Sequence, residues 1–136
     1  QDANEIELKG EKISKKISKL IEDVKLYEAA EKEMEKYSQM NLGKIKTILD
    51  EMNGSYKKYD KFKADVDNLK ERVESLEEYG NEGVKVAEKV GELIEKGEIE
   101  EAREQINAYM ADERYEYMPD SLQGVFYDYM LQINFR

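Results

Sequence analysis

Cysteine, histidine and tryptophan are absent from this chain of 136 residues, and proline occurs once, at Pro119. Without cysteine there is neither a disulfide framework nor a thiolate metal site, and the redox compartment stays undecided. Without histidine there is no phosphorylatable imidazole of a helical phosphotransfer domain, no Glu-x-x-His signature of a di-iron bundle and no ordinary zinc or haem ligand. No metal and no cofactor is therefore expected. Also missing are an apolar run of about 20 residues that would span a bilayer and the basic start plus apolar block of a signal peptide. A strongly basic balance is missing too. The net charge is −10, and residues 80–136 carry 13 acidic against 6 basic side chains. A phosphate-binding surface needs a basic face, so nucleic acid is not an expected partner.

What is present is charge and periodicity. Charged residues make up 40% of the chain, and lysine and glutamate dominate them, which is the composition of long solvated helices. An apolar stripe at heptad spacing runs through Ile6, Ile13, Ile17, Leu20, Val24, Tyr27 and Met34, then Ile45, Ile48, Met52, Tyr59, Phe62, Val66, Leu69, Val73, Leu76, Ala87, Val90 and Ile94. Such a stripe is the seam of packed helices. The spacing predicts an all-α fold, an antiparallel (up-down) bundle of four helices forming one domain over residues 1–136.

Punctuation places the boundaries. The first helix is expected to start after Asp2, Ala3 or Asn4 and to run to about Met40, with a turn in 38–43 and a short helix over 44–52. Asn53-Gly54-Ser55 offers left-handed backbone angles and a cap, so a turn belongs there. From Tyr56 to Lys96 the stripe is unbroken, and Gly80 and Gly83 fall on it. The kept register favours one long helix that uses these glycines for close helix approach over a turn at 80–83. Gly97 then stops that helix. A last helix over 99–134 is expected to kink or to break briefly near Met118, because Pro119 cannot donate to the helix ladder.

Chemistry is sparse. Carboxylate pairs such as Glu100 with Glu104 or Asp112 with Glu116 have the spacing of any solvated helix face. No glycine-rich phosphate loop and no nucleophile motif is present, so the chain is not expected to be an enzyme. Two features rise above this background. Seven of the thirteen aromatic residues lie at Tyr109, Tyr115, Tyr117, Phe126, Tyr127, Tyr129 and Phe135, where core packing is the first explanation. Arg103 and Asn107 stand one helical turn apart beside Tyr109, and an arginine fork suits a carboxylate. These three form the candidate ligand-binding set, against the alternative of a simple pairing of Arg103 with Glu100 or Glu104.

The stretch from Glu77 to Asn134 contains Glu77-Glu78-Tyr79, then Val86 to Arg103 with a Gly97-Glu98 turn and a Glu100-Glu101-Ala102 triplet, then helix interrupted by a proline. This stretch resembles the second half of the four-helix-bundle ligand-binding domains of bacterial chemoreceptors. The resemblance implies an extracytoplasmic sensor domain on the outer side of the cell membrane, cut from a membrane-anchored parent between Gln1 and Arg136. It also implies a small-molecule ligand or a binding protein as partner, a weak homodimer, and signalling by a small displacement of the last helix. One departure is plain. Aspartate- and serine-type receptors hold the ligand carboxylate with arginines of the first helix, and residues 1–71 contain no arginine. The alternative is a structural or scaffolding module, coiled-coil or spectrin-like, whose seam recruits another helix.

Overall fold

The computed structural model describes residues 3–135, and among these the chain is all-helical, with no strand. Five α-helices follow one another: α1 (Ala3–Met34), α2 (Leu42–Asp50), α3 (Asp60–Glu95), α4 (Ile99–Met110) and α5 (Asp120–Asn134). Single 3-10 turns stand at Tyr37–Gln39, Ser55–Lys58 and Glu113–Tyr117. The count is thus five rather than four. Asp2, one of the expected starting points of the first helix, lies outside the described residues.

Two compact units divide the chain, Gln1–Met34 with Asn41–Arg72 and Glu35–Met40 with Val73–Arg136. In the first, α1 serves as a post to which α2 is fastened at both ends. At the near end Glu33, buried on α1, accepts the Asn41 backbone N–H at 3.2 Å, and Asn41 in turn caps α2 by accepting from the Lys44 N–H at 3.0 Å. At the far end Asp23, fully buried on α1, accepts the backbone N–H groups of Asn53 at 2.8 Å and Tyr56 at 3.1 Å. Ten residues of helix separate the two carboxylates, about 15 Å, which matches the length of α2. Thus α2 runs antiparallel to the C-terminal half of α1. The apolar filling is Ala30, Met34, Ile45, Leu49, Tyr56 and Val66, with Phe62 edge-on to both Tyr27 and Tyr56 at 5.6 and 5.8 Å.

Asn53-Gly54-Ser55 forms the expected turn. Gly54 takes φ +92°, and Asn53 Oδ1 accepts from the Ser55 N–H at 2.9 Å. The next α-helix, however, waits for one 3-10 turn and starts at Asp60. The first helix also ends earlier than expected, at Met34, and the chain leaves it through Tyr37 at φ +50°.

In the second unit α3 passes unbroken through Gly80 and Gly83. It ends as its punctuation requires. Gly97 takes φ +78°, its N–H bonds to Ile94 O at 3.0 Å and the Glu98 N–H to Leu93 O at 2.8 Å, the paired bonds of a Schellman cap. The expected interruption before Pro119 is a break rather than a kink, and it is longer than a single turn. α4 stops at Met110, and residues 111–119 form a connector, because the Asp112 side chain caps a 3-10 turn by accepting the Arg114 N–H. Pro119 then stands at the start of α5, where its missing N–H costs nothing.

Gly83 explains how closely these helices approach. A Cβ built on it would lie 2.1 Å from the Tyr109 hydroxyl of α4 and 2.9 Å from Leu122 Cδ2 of α5. On α3, Gly91 likewise faces the Tyr129 hydroxyl, at 2.8 Å. Leu122 beside Gly83 and Tyr129 beside Gly91 mean that α5 runs in the direction of α3, with α4 turned back by the Gly97 cap.

Candidate functional site

The three residues singled out from sequence meet different fates on α4. Arg103 pairs with Glu100, one turn earlier, so its fork is engaged on its own helix surface. Asn107 is exposed. Tyr109 is buried, its ring stacked on Tyr79 at 4.2 Å and on Phe126 at 4.8 Å. Its hydroxyl donates to Tyr79 O at 2.7 Å, while the Tyr79 hydroxyl donates to Tyr109 O. Burial pushes the Tyr79 hydroxyl up to about 12, and Tyr109 higher still. These are core phenols, and their protons stay on at any ordinary pH.

A second arginine that sequence reasoning passed over is more elaborately held. Arg114 grips Asp112 with Nε at 2.9 Å and Nη2 at 2.7 Å, reaches Ser75 Oγ with Nη1 at 3.1 Å, and lies 4.6 Å over the Tyr79 ring. This bidentate grip holds the Asp112 carboxyl down at about 2. A hollow of about 210 Å³ beside this group is lined by Tyr109, Tyr79, Glu82 and Arg114 among others. Of the three sequence candidates only Tyr109 touches it. Since the guanidinium already holds Asp112, a ligand anion would have to displace an internal one.

The first unit offers more. The seam of α1 is not covered along its N-terminal half: Ile6 is 71% exposed, Ile13 58%, Ile17 52% and Ile21 47%, with Val24 also exposed. Along this part of α1 the stripe is therefore open to solvent rather than packed in a bundle core. Only from Tyr27 onward do α2 and Phe62 provide neighbours. At 100° per residue, Ile6, Ile13, Ile17, Leu20, Ile21 and Val24 share an arc of about 100°. Lys9 and Lys12 lie along one flank of that arc and Glu7 and Glu11 along the other.

Lysines gather here. Between Lys9 and Lys19 there are five, against Glu11 alone. Two of them, Lys16 and Lys19, reach a hollow of about 340 Å³ that they share with Leu20, the turn Asn53-Gly54-Ser55, Lys58 and Tyr59. Asp23 fixes that turn from below. Asn53 Nδ2 ties it further, donating to Lys19 O at 3.0 Å and to Glu22 Oε2 at 3.2 Å.

No protein-family model, no curated protein and no solved structure matches this chain. The chemoreceptor resemblance therefore rests on the residues quoted for it. Among the described residues no helix is long and apolar enough to cross a membrane.

Proposed function

We propose that this chain is a helix-pairing interaction module that joins a second copy of itself through the N-terminal half of α1, in parallel. The observation that carries this reading is the apolar arc of α1, five of whose residues, Ile6, Ile13, Ile17, Ile21 and Val24, are exposed over about 27 Å of helix, more than scattered surface hydrophobics require. Its flanks favour a second copy in one orientation. In a parallel pair each helix sets its Lys9 and Lys12 flank against the other's Glu7 and Glu11 flank, whereas an antiparallel pair sets like flanks together. Gly10 lies within the arc and leaves a small layer that limits affinity. Each unit by itself is read as up-and-down, with α2 antiparallel to α1 in one and α4 antiparallel to α3 and α5 in the other.

Gly10→Cys tests both pairing and direction, since a Cβ there meets nothing within 4 Å and the chain has no other cysteine. Mild oxidation should cross-link the variant into a dimer, while Leu8→Cys, on the opposite face of the helix, should react far more slowly. Sedimentation should show self-association that rises with concentration and disappears in Ile13→Asp/Ile17→Asp. Equal cross-linking of Gly10→Cys and Leu8→Cys, or a monomer at every concentration, overturns the reading.

A second reading, the extracytoplasmic sensor domain of a transmembrane receptor, is supported by the lysine-lined hollow and by the Gly97-Glu98 cap with its Glu100-Glu101-Ala102 triplet. On that reading ligand binding shifts the last helix by about an ångström, and a weak dimer is its working state. The rest of the reading frame separates the two, since a sensor requires hydrophobic spans of about 20 residues beside this segment.

A further inference from the structure

We infer that the hollow between α1 and the 53–59 turn binds a small phosphomonoester carried on an apolar or aromatic body. This assignment stands independently of helix pairing. Three lysines line it from two stretches of chain, Lys16 and Lys19 from α1 and Lys58 from the turn. No carboxylate is among the lining residues. Two acids beside this turn are already occupied: Asp23 holds the Asn53 and Tyr56 amides from below, and Glu22 accepts from Asn53 Nδ2. In a chain of net charge −10, three lysines around one hollow form a local positive field that a dianion relieves.

The ligand class follows from the type of cation and the remaining walls. Lysine presents a compact point charge that can approach a tetrahedral phosphate from several directions, whereas a planar carboxylate is better met by an arginine fork, and no arginine lines this hollow. Leu20 and the half-exposed Tyr59 supply an apolar wall for the body that carries the phosphate. A volume of about 340 Å³ suits a ligand of roughly ten to fifteen heavy atoms, at the small end of known pockets. The turn is preorganised, since Gly54 is fixed in its left-handed conformation and Asn53 is tied at three points.

The test is amide NMR titration at low ionic strength with phenyl phosphate, inorganic phosphate and phenol as probes. Phenyl phosphate should shift the Gly54, Ser55 and Lys58 amides with a Kd of millimolar order, bind more tightly than inorganic phosphate, and leave phenol without effect. Lys19→Gln and Lys58→Gln should each weaken binding about three- to fivefold, as partly screened ion pairs do. Lys89→Gln, in the other unit, should not. Tyr59→Ala should erase the advantage of phenyl phosphate over inorganic phosphate while leaving the latter bound. The Ile13→Asp/Ile17→Asp variant should still bind. Unchanged binding in Lys16→Gln/Lys19→Gln/Lys58→Gln overturns the assignment, as does the absence of any shift at about 10 mM phenyl phosphate. Loss of binding in the pairing-deficient variant overturns it too, since the ligand would then lie between two copies.

Discussion

The two units hold themselves together by opposite means. The N-terminal unit relies on buried carboxylates: Asp23 and Glu33 on α1 accept backbone N–H groups at the two ends of α2, and a modest apolar cluster fills the space between. The C-terminal unit relies on contact, with Tyr79, Tyr109 and Phe126 stacked in a column and glycines on α3 admitting the tyrosines of α4 and α5. A carboxylate that caps a turn acts on a few amides and leaves the rest of its helix uncommitted. An aromatic column needs every element around it. This difference explains why α1 can extend half its length beyond its neighbours with an apolar face open, while the second half of α3 is covered.

The sharpest way to break the comparison is to fill a glycine. In Gly83→Leu the new side chain must displace the Tyr109 hydroxyl, ending its bond to Tyr79 O and disturbing the stack. Overpacking of about 1–3 kcal/mol plus a lost buried hydrogen bond of about 1 kcal/mol gives a destabilisation of about 2–4 kcal/mol, readable as a lowered urea midpoint. An unchanged midpoint would mean that α3 and α4 are not in close contact. A smaller loss is expected from Asp23→Ala, which orphans the Asn53 and Tyr56 amides at a cost of about 2–3 kcal/mol. Asp23→Asn should recover part of it, since one carbonyl oxygen replaces two acceptors. Hydrogen exchange should then quicken first at residues 53–56, and if it does not, the turn is held by something other than Asp23.

Which of these features could be read in advance depended on how local their causes are. Gly97 and Asn53-Gly54 announce their turns through their own backbone freedom, and Gly83 was legible as a close-approach position because its register on α3 is fixed by neighbours three and four residues away. Asp23 and Glu33 were not legible. Their partners lie 30 and 8 residues on, and a single acid beside a seam looks like any solvated glutamate. The break at 111–119 was half legible, since Pro119 marks its end but the Asp112 cap that starts it opens an acid-rich stretch like any other on a solvated helix. The candidate site shows the same rule. Arg103 was claimed by the nearest acid on its own helix. The lysine-lined hollow joins residues 16–20 to 53–59, a pairing that no periodicity reveals. The heptad stripe reads alike on α1 and α3, because it reports only that a face is apolar and not whether a neighbour covers it.

The smallest effect sharpens the comparison through pH. In the C-terminal unit the Asp112 carboxyl is held at about 2 by Arg114, below the ordinary value of about 3.9 in the unfolded chain. Its contribution is therefore fully present above about pH 4 and is lost as the pH falls from there through 2. The Tyr79 hydroxyl, raised to about 12 by burial, favours the neutral fold below pH 10 and withdraws that support as the pH rises from 10 through 12. Because Asp112 is one-third exposed, solvent screening limits its contribution to no more than about 1 kcal/mol. Denaturant midpoints followed from pH 4 to 2 should fall less steeply in Asp112→Asn than in the parent chain, and Tyr79→Phe should flatten the alkaline limb. Should Asp112→Asn leave the acid limb as steep as before, Arg114 would be stabilised by Ser75 and the Tyr79 ring without help from its carboxylate. The C-terminal unit would then be held by contact alone, without any contribution from a titrating acid.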